Sequence, residues 1–373
     1  MIRKWYIHIC LLLMLPLWGI AQESGEEAIV KTDTLRRDKN IQIVGLPVAF
    51  YTPETEFGFG GGGQLFLLSD KARFNNRISN VLVTAIYTTN KQLIFEALPE
   101  IYLGKGNYFI DAAYRFEIFP NSFWGLGPNT QEEDAEIYDQ TSHILEANFL
   151  KRLPPNLNFG FTFRFANHQV TEVEEGGLLD SGLIPGSNRA VITGFGAIFN
   201  LDDRDDVGSA TSGNYLSFSA RYSSKLLGAT QGFNTFILDL RTYRPIGKKS
   251  VFAAQLYLEN HFGEVPFQGQ AAFGGSKGAR GYFKGRFIDK HMYVLQGEYR
   301  YRFKPRWAVN AFGLFGSVSN EVNELYRFEN LKPSFGGGIR FKILKDKSTW
   351  VRLDYGVGKD GQSGIYFGVN EVF

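Results

Sequence analysis

The chain has 373 residues, is 15% aromatic, holds 42 glycines and carries 40 Lys and Arg against 38 Asp and Glu. Such a balance supplies no basic field for nucleic acid. Beyond residue 21 no apolar stretch reaches the ~20 residues of a spanning helix, so a helical membrane protein is excluded. Abundant aromatics and glycines suit a β-barrel instead, with its aromatic girdles and its bends.

Residues 1–21 read as a signal peptide. Arg3 and Lys4 precede an apolar run from Trp5 to Ile20, and Gly19 and Ala21 form a small-x-small cleavage pattern. The single cysteine, Cys10, lies inside that run, so neither lipidation nor a disulfide is expected in the mature chain. Loss of this segment leaves 38 basic against 38 acidic residues, a formally neutral chain. Mass spectrometry of the exported protein is expected to find Gln22, or its cyclised form, first; an intact Met1 would reject the export reading. Residues 22–40 are polar and charged and far shorter than the ~50 residues of the smallest domains. They read as a periplasmic lead-in.

From Ile41 the dominant period is two, the mark of strands with one apolar face. The expected strands are 42–51, 56–68, 77–89, 91–103, 107–119, 140–152, 156–169, 189–201, 213–223, 231–244, 250–261, 291–304, 306–318, 332–343, 348–357 and 363–373. Phe159, Phe161, Phe163 and Phe165 interleave with Asn158, Gly160, Thr162 and Arg164. Tyr293, Leu295, Tyr299, Tyr301 and Phe303 oppose Gln296, Glu298, Arg300 and Arg302, and Leu353 and Tyr355 oppose Arg352 and Asp354. Most spans exceed the ~9–11 residues that cross hydrocarbon at a tilt. The long connections 120–139, 170–188, 262–290 and 319–331 all follow odd-numbered strands, and short turns such as Gly104–Gly106 follow even ones. That segregation fits long outer loops and short periplasmic turns. The expected fold is all-β: a 16-stranded antiparallel transmembrane β-barrel over residues 41–373, with both ends periplasmic.

Matches to enzyme and metal motifs fail on context. Gly58–Gly63 fits G-x-G-x-x-G, but no βαβ unit follows. The acidic run Asp202, Asp203, Asp205 and Asp206 misses the order of a calcium loop. Gly274-Gly275-Ser276-Lys277-Gly278 fits G-x-S-x-G, yet it sits in a glycine-rich loop, without the strand and helix a nucleophile elbow needs. No catalytic residue, metal or cofactor is expected.

The loop after the eleventh strand, Phe273 to Phe287, contains Gly274, Gly275, Arg280, Gly281 and Tyr282. It resembles the R-G-[FY] loop of the BamA/TamA-like barrels, the bacterial surface antigen superfamily. Asp203-Arg204-Asp205 with Thr211-Ser212-Gly213-Asn214-Tyr215-Leu216 resembles the periplasmic turn of that family, Ala210 standing for its proline. Phe335–Phe341 and Val351–Tyr355 resemble its penultimate strands, and Gly368 with Phe373 its terminal sorting signal, from which Glu371 departs. The resemblance implies a sixth outer loop folded into the lumen, its arginine bound to acidic and aromatic wall groups. The family's usual acidic position falls on Leu314, so alternation nominates Glu298 and Asp354 as lumen partners of Arg280. The resemblance also implies an outer-membrane assembly factor without catalysis. It would contact outer-membrane lipid, other envelope proteins and assembly-machinery subunits, but no nucleic acid, and would work through a weak seam between first and last strands. Pro47, Gly45, Gly364 and Gly368 would weaken that seam. The family's periplasmic POTRA domains do not fit in residues 22–40. The alternative is a passive pore or structural barrel.

Overall fold

A computed structural model describes residues 41–68, 73–74, 77–276, 278–343 and 349–373. The expected signal peptide and lead-in lie outside the described residues, as does Lys277. Sixteen long antiparallel strands form the sheet: β1 (Ile41–Thr52), β2 (Glu56–Leu67), β3 (Arg77–Thr88), β4 (Leu93–Leu103), β5 (Tyr108–Phe123), β6 (Glu136–Leu153), β7 (Leu157–Val173), β8 (Arg189–Asp202), β9 (Gly213–Ser223), β10 (Phe233–Ile246), β11 (Ser250–Gly263), β12 (His291–Lys304), β13 (Trp307–Ser319), β14 (Lys332–Lys342), β15 (Trp350–Gly358) and β16 (Ser363–Val369). Each pairs with the next in chain order, as an up-and-down barrel requires. Cα atoms of β1 and β16 approach within 8 Å, which brings the ring together. The two strands are unequal, twelve residues against seven.

The pleat sorts the side chains as the period-two pattern requires. Phe161, Phe195 and Tyr355 point outward and are half exposed, while Glu298 and Asp354 point inward and are fully buried. Apolar groups outside and charges inside match lipid around a barrel rather than water around a sandwich. The Gly58–Gly63 run lies within β2, as strand and not as a phosphate loop.

Four boundaries differ from the sequence reading by four residues. β5 runs on to Phe123 and β6 begins at Glu136, because Pro120 to Phe123 still pair with residues 136–139 despite their turn-like composition. β7 reaches Val173, so the loops on that side are shorter than expected. The last strand stops at Val369 instead of residue 373. Asn370 takes a left-handed backbone conformation (φ 63°), and Glu371, Val372 and Phe373 turn into the lumen.

Candidate functional site

The segment between β11 and β12 folds inside the ring. A short ribbon, Ala271–Phe273 against Phe287–Asp289, carries it inward. At its tip the backbone must reverse closely, and Gly274, Gly275 and Gly281 all have positive φ. Phe273, Ala279, Tyr282 and Phe287 pack on Met292, Val294, Phe312, Leu314 and Val318 from β12 and β13. Apolar residues line this part of the lumen because the loop covers them. Leu314 belongs to that cluster, which explains an apolar side chain where the resemblance would place an acid.

Arg280 is 1% exposed and meets both nominated carboxylates, Nη2 lying 2.7 Å from Glu298 Oε2 and Nη1 3.0 Å from Asp354 Oδ2. Its guanidinium stacks 3.6 Å from the centre of the Phe312 ring. A desolvated arginine needs charged acceptors, and an aromatic face adds to them. The neighbouring backbone is held as firmly. Gly281 N donates to Tyr366 Oη at 2.9 Å, and the Ser334 hydroxyl donates to the Arg280 carbonyl. Tyr282 Oη donates to the Pro333 carbonyl at 2.7 Å and accepts from Lys359 N at 2.8 Å. Lys284 N donates to Glu54 on the β1–β2 turn at 2.7 Å, and Arg286 pairs with Glu132 at 2.8 Å. Hydrogen bonds thus tie the loop to β12, β14, β15, β16 and three outer connections.

The sequence reading did not single out three further arginines that share these acids. Arg300 lies 2.8 Å from Glu298, Arg340 2.6 Å from Asp354 and Arg352 3.1 Å from Asp354. Their positions occupy the same inward phase as Glu298 and Asp354, which is the signal that would have found them. Glu371 completes the group, 2.8 Å from Arg340 and 3.7 Å from Arg300. Its charge is foreign to a lipid-facing strand end, but the chain has turned inward there.

Arg280→Ala is expected to free the loop, read as faster limited proteolysis between residues 274 and 287 in the folded barrel. Arg280→Lys should restore little protection, because an ammonium lacks the planar fork that spans two carboxylates. Wild-type protection in both variants would show that the apolar cluster alone holds the loop.

The other candidate residues lie apart from Arg280. Asp203, Arg204 and Asp205 start the β8–β9 turn. Arg204 pairs with Asp202 at 2.8 Å and lies 4.5 Å over the Tyr215 ring. Asp203 accepts from Asn214 N, and Asp205 from the Thr211 hydroxyl and from the Thr211 and Ser212 N–H groups. Burial pushes the Asp205 carboxyl up, but these hydrogen bonds outweigh it and hold it below the usual carboxylate range. Gly368 faces Arg352 across the ladder, where a Cβ would stand 3.1 Å from the guanidinium. Phe373 is 5% exposed, inside the lumen against Ala210, Tyr243, Ala253 and Val372.

A family model described as the Omp85 superfamily domain matches residues 105–373. No curated protein sequence matches the chain. Among solved structures, BamA from Haemophilus ducreyi lacking POTRA domains 1–3 aligns at TM-score 0.63 and 11% identity, over 89% of this chain and 70% of that one. CdiB from Acinetobacter baumannii aligns at TM-score 0.54 and 13% identity, over 89% of this chain and 60% of that one. CdiB from Escherichia coli aligns at TM-score 0.54 and 12% identity, over 90% and 63%. The chain therefore spans less than two thirds of either CdiB chain. At such identities the likeness is one of fold.

Proposed function

The chain belongs to the Omp85 superfamily and is a bacterial outer-membrane β-barrel, and from that premise we propose that it assists the insertion or translocation of other envelope polypeptides. The observation that carries the reading is the unequal seam. Elsewhere each strand pairs with its neighbour over seven residues or more, whereas at the seam twelve residues of β1 meet a β16 that stops after seven. Among the described residues, part of the seam edge of β1 thus has no strand opposite it. Unpaired backbone groups inside lipid are costly, so that edge is the place where an incoming strand gains most by pairing. Binding and strand exchange would then drive the work without covalent chemistry.

The test is to staple the seam. A cysteine on β1 and one on β16, oxidised across the seam in an otherwise unchanged barrel, should abolish insertion of a client barrel into proteoliposomes, and a reductant should restore it. Undiminished insertion by the stapled form would reject the seam mechanism. The inward loop weighs against a passive pore, since it buries Arg280, Tyr282 and Phe273 inside the ring. Low conductance in planar bilayers is expected, and a large steady conductance would favour the pore.

A further inference from the structure

The two ends of the barrel carry opposite charge. On the long-loop side, residues 130–139 hold Glu132, Glu133, Asp134, Glu136 and Asp139 with no Lys or Arg, and residues 172–180 hold Glu172, Glu174, Glu175 and Asp180 likewise. The short-turn side faces the periplasm in a bacterial barrel. There β10–β11 and β12–β13 turn through Arg244-Pro245-Ile246-Gly247-Lys248-Lys249 and Arg302-Phe303-Lys304-Pro305-Arg306, neither with an acid. Main-chain hydrogen bonds join these turns into one rim. Arg302 N donates to the Lys249 carbonyl at 2.8 Å, and Lys342 N, on β14, to the Arg306 carbonyl at 2.9 Å. Lys248, Lys249, Arg302 and Lys304 are exposed, and none pairs with a carboxylate among the described residues. The excess is confined to this sector, because the β8–β9 turn on the same side sets Asp203, Asp205 and Asp206 against Arg204.

These cations stand where the wall meets the inner leaflet. Tyr299, Tyr301 and Trp307 are exposed on the outward face beside them, and the Trp307 ring packs on Phe341 with 4.8 Å between centres. The Ser250 and Tyr299 hydroxyls share a hydrogen bond of 2.8 Å, which marks the polar edge of the apolar band. Arg306 is fixed on this outer face by neutral partners alone. Its guanidinium lies 4.8 Å from the Phe341 ring centre and donates to the Lys342 carbonyl at 3.0 Å and the Ile343 carbonyl at 2.8 Å. Its charge therefore stays unmatched. Rings at the boundary with Lys and Arg just beyond them suit lipid headgroups, because the rings sit at headgroup level and the long stems carry charge out to the phosphates.

We propose that this sector of the periplasmic rim is a binding site for anionic phospholipid of the inner leaflet, with the headgroup phosphate held by Arg306, Lys304 and Lys249 and the acyl chains lying along Tyr301, Trp307 and Phe341. A zwitterionic headgroup brings its own ammonium and leaves the excess charge standing. An acidic protein would meet the cations, but it has no use for rings that face hydrocarbon. Anionic lipid satisfies both parts. Lipid gathered there fixes the depth of β10–β14 in the membrane, whether or not the barrel acts on other polypeptides.

The test uses the protein as purified from the outer membrane, in phosphatidylcholine vesicles with a minor share of brominated lipid, either phosphatidylglycerol or phosphatidylcholine. Beyond residue 21 the tryptophans are Trp124, Trp307 and Trp350. Trp124 and Trp350 are buried and Trp307 is exposed at the rim, so bromine gathered there quenches Trp307. Quenching by brominated phosphatidylglycerol should be at least threefold the stronger, should fade at high salt, and should be lost in Trp307→Phe. The triple variant Lys248→Gln, Lys249→Gln, Lys304→Gln should bring the two lipids near parity with heat-modifiable migration unchanged. Should it fail to fold, Arg306→Gln alone should remove at least half of the preference. Equal quenching of the wild type by the two lipids, or an undiminished preference in the folded variants, overturns the proposal. So does loss of the preference on adding inorganic phosphate at matched ionic strength, which would assign the rim to a free anion, or on adding polyglutamate, which would assign it to an acidic protein.

Discussion

Asp354→Asn is expected to destabilise the barrel more than Arg280→Ala, although Arg280 is the residue the loop motif advertises. Asp354 accepts from Arg280 at 3.0 Å, Arg340 at 2.6 Å and Arg352 at 3.1 Å, and it is fully buried. Its loss leaves four guanidiniums against Glu298 and Glu371. Breaking a buried ion pair from one side costs about 3–5 kcal/mol, because the remaining charge is uncompensated. Arg280→Ala acts the other way. Glu298 keeps Arg300, Asp354 keeps Arg340 and Arg352, and Glu371 keeps Arg340, so every carboxylate retains a guanidinium partner. The damage stays in the loop. Urea unfolding, followed by heat-modifiable migration, should show a much larger drop in midpoint for Asp354→Asn. Equal drops would mean that the arginines find water or other acceptors.

Gly281→Ala is the second large effect. Gly281 has φ 104°, and a Cβ there would stand 2.5 Å from Ser334 Oγ and 3.0 Å from Gly358 N. The left-handed backbone alone costs a non-glycine residue roughly 1–3 kcal/mol. The contact with β15 backbone has no flexible side chain to yield, so the loop must lift, drawing Arg280 off its carboxylates. Gly361 is the control: it has φ 79°, but a Cβ added there would meet nothing within 4 Å. Gly361→Ala should show the backbone strain and no loop release. If proteolysis of residues 274–287 is equally slow in both variants, the close approach does not hold the loop.

Much of the fold was legible because lipid and lumen impose opposite demands on alternate residues. That contrast gave sixteen strands, the inward phase of Glu298 and Asp354, and the grouping of long loops on one side. What escaped depends on contacts across the lumen. Pro120, Asn121 and Ser122 read as turn formers, yet β6 opposite is long enough to keep them paired. Leu314 looked like a missing acid because periodicity cannot reveal that a loop lies over it. Arg300, Arg340 and Arg352 each read as an ordinary lumen charge; only the inserted loop and the turned-in residues 370–373 gather them around shared carboxylates. Glu371 was the clearest anomaly in the sequence, and its position inside the ring accounts for it.

The loop inside the ring also constrains the order of assembly. Its ties to the later strands close short stretches of chain: Arg280 to Glu298 spans 18 residues, to Asp354 74, and Gly281 to Tyr366 85. Its tie to Glu54 spans 230 residues. Each doubling of a closed loop adds about 0.6 kcal/mol of entropy cost, so the distant tie is about 2 kcal/mol dearer than the nearest. The later strands can therefore gather around their own filling while the earlier ones are still unjoined. The interior is furnished before the wall is complete, and no segment has to be threaded through a finished ring.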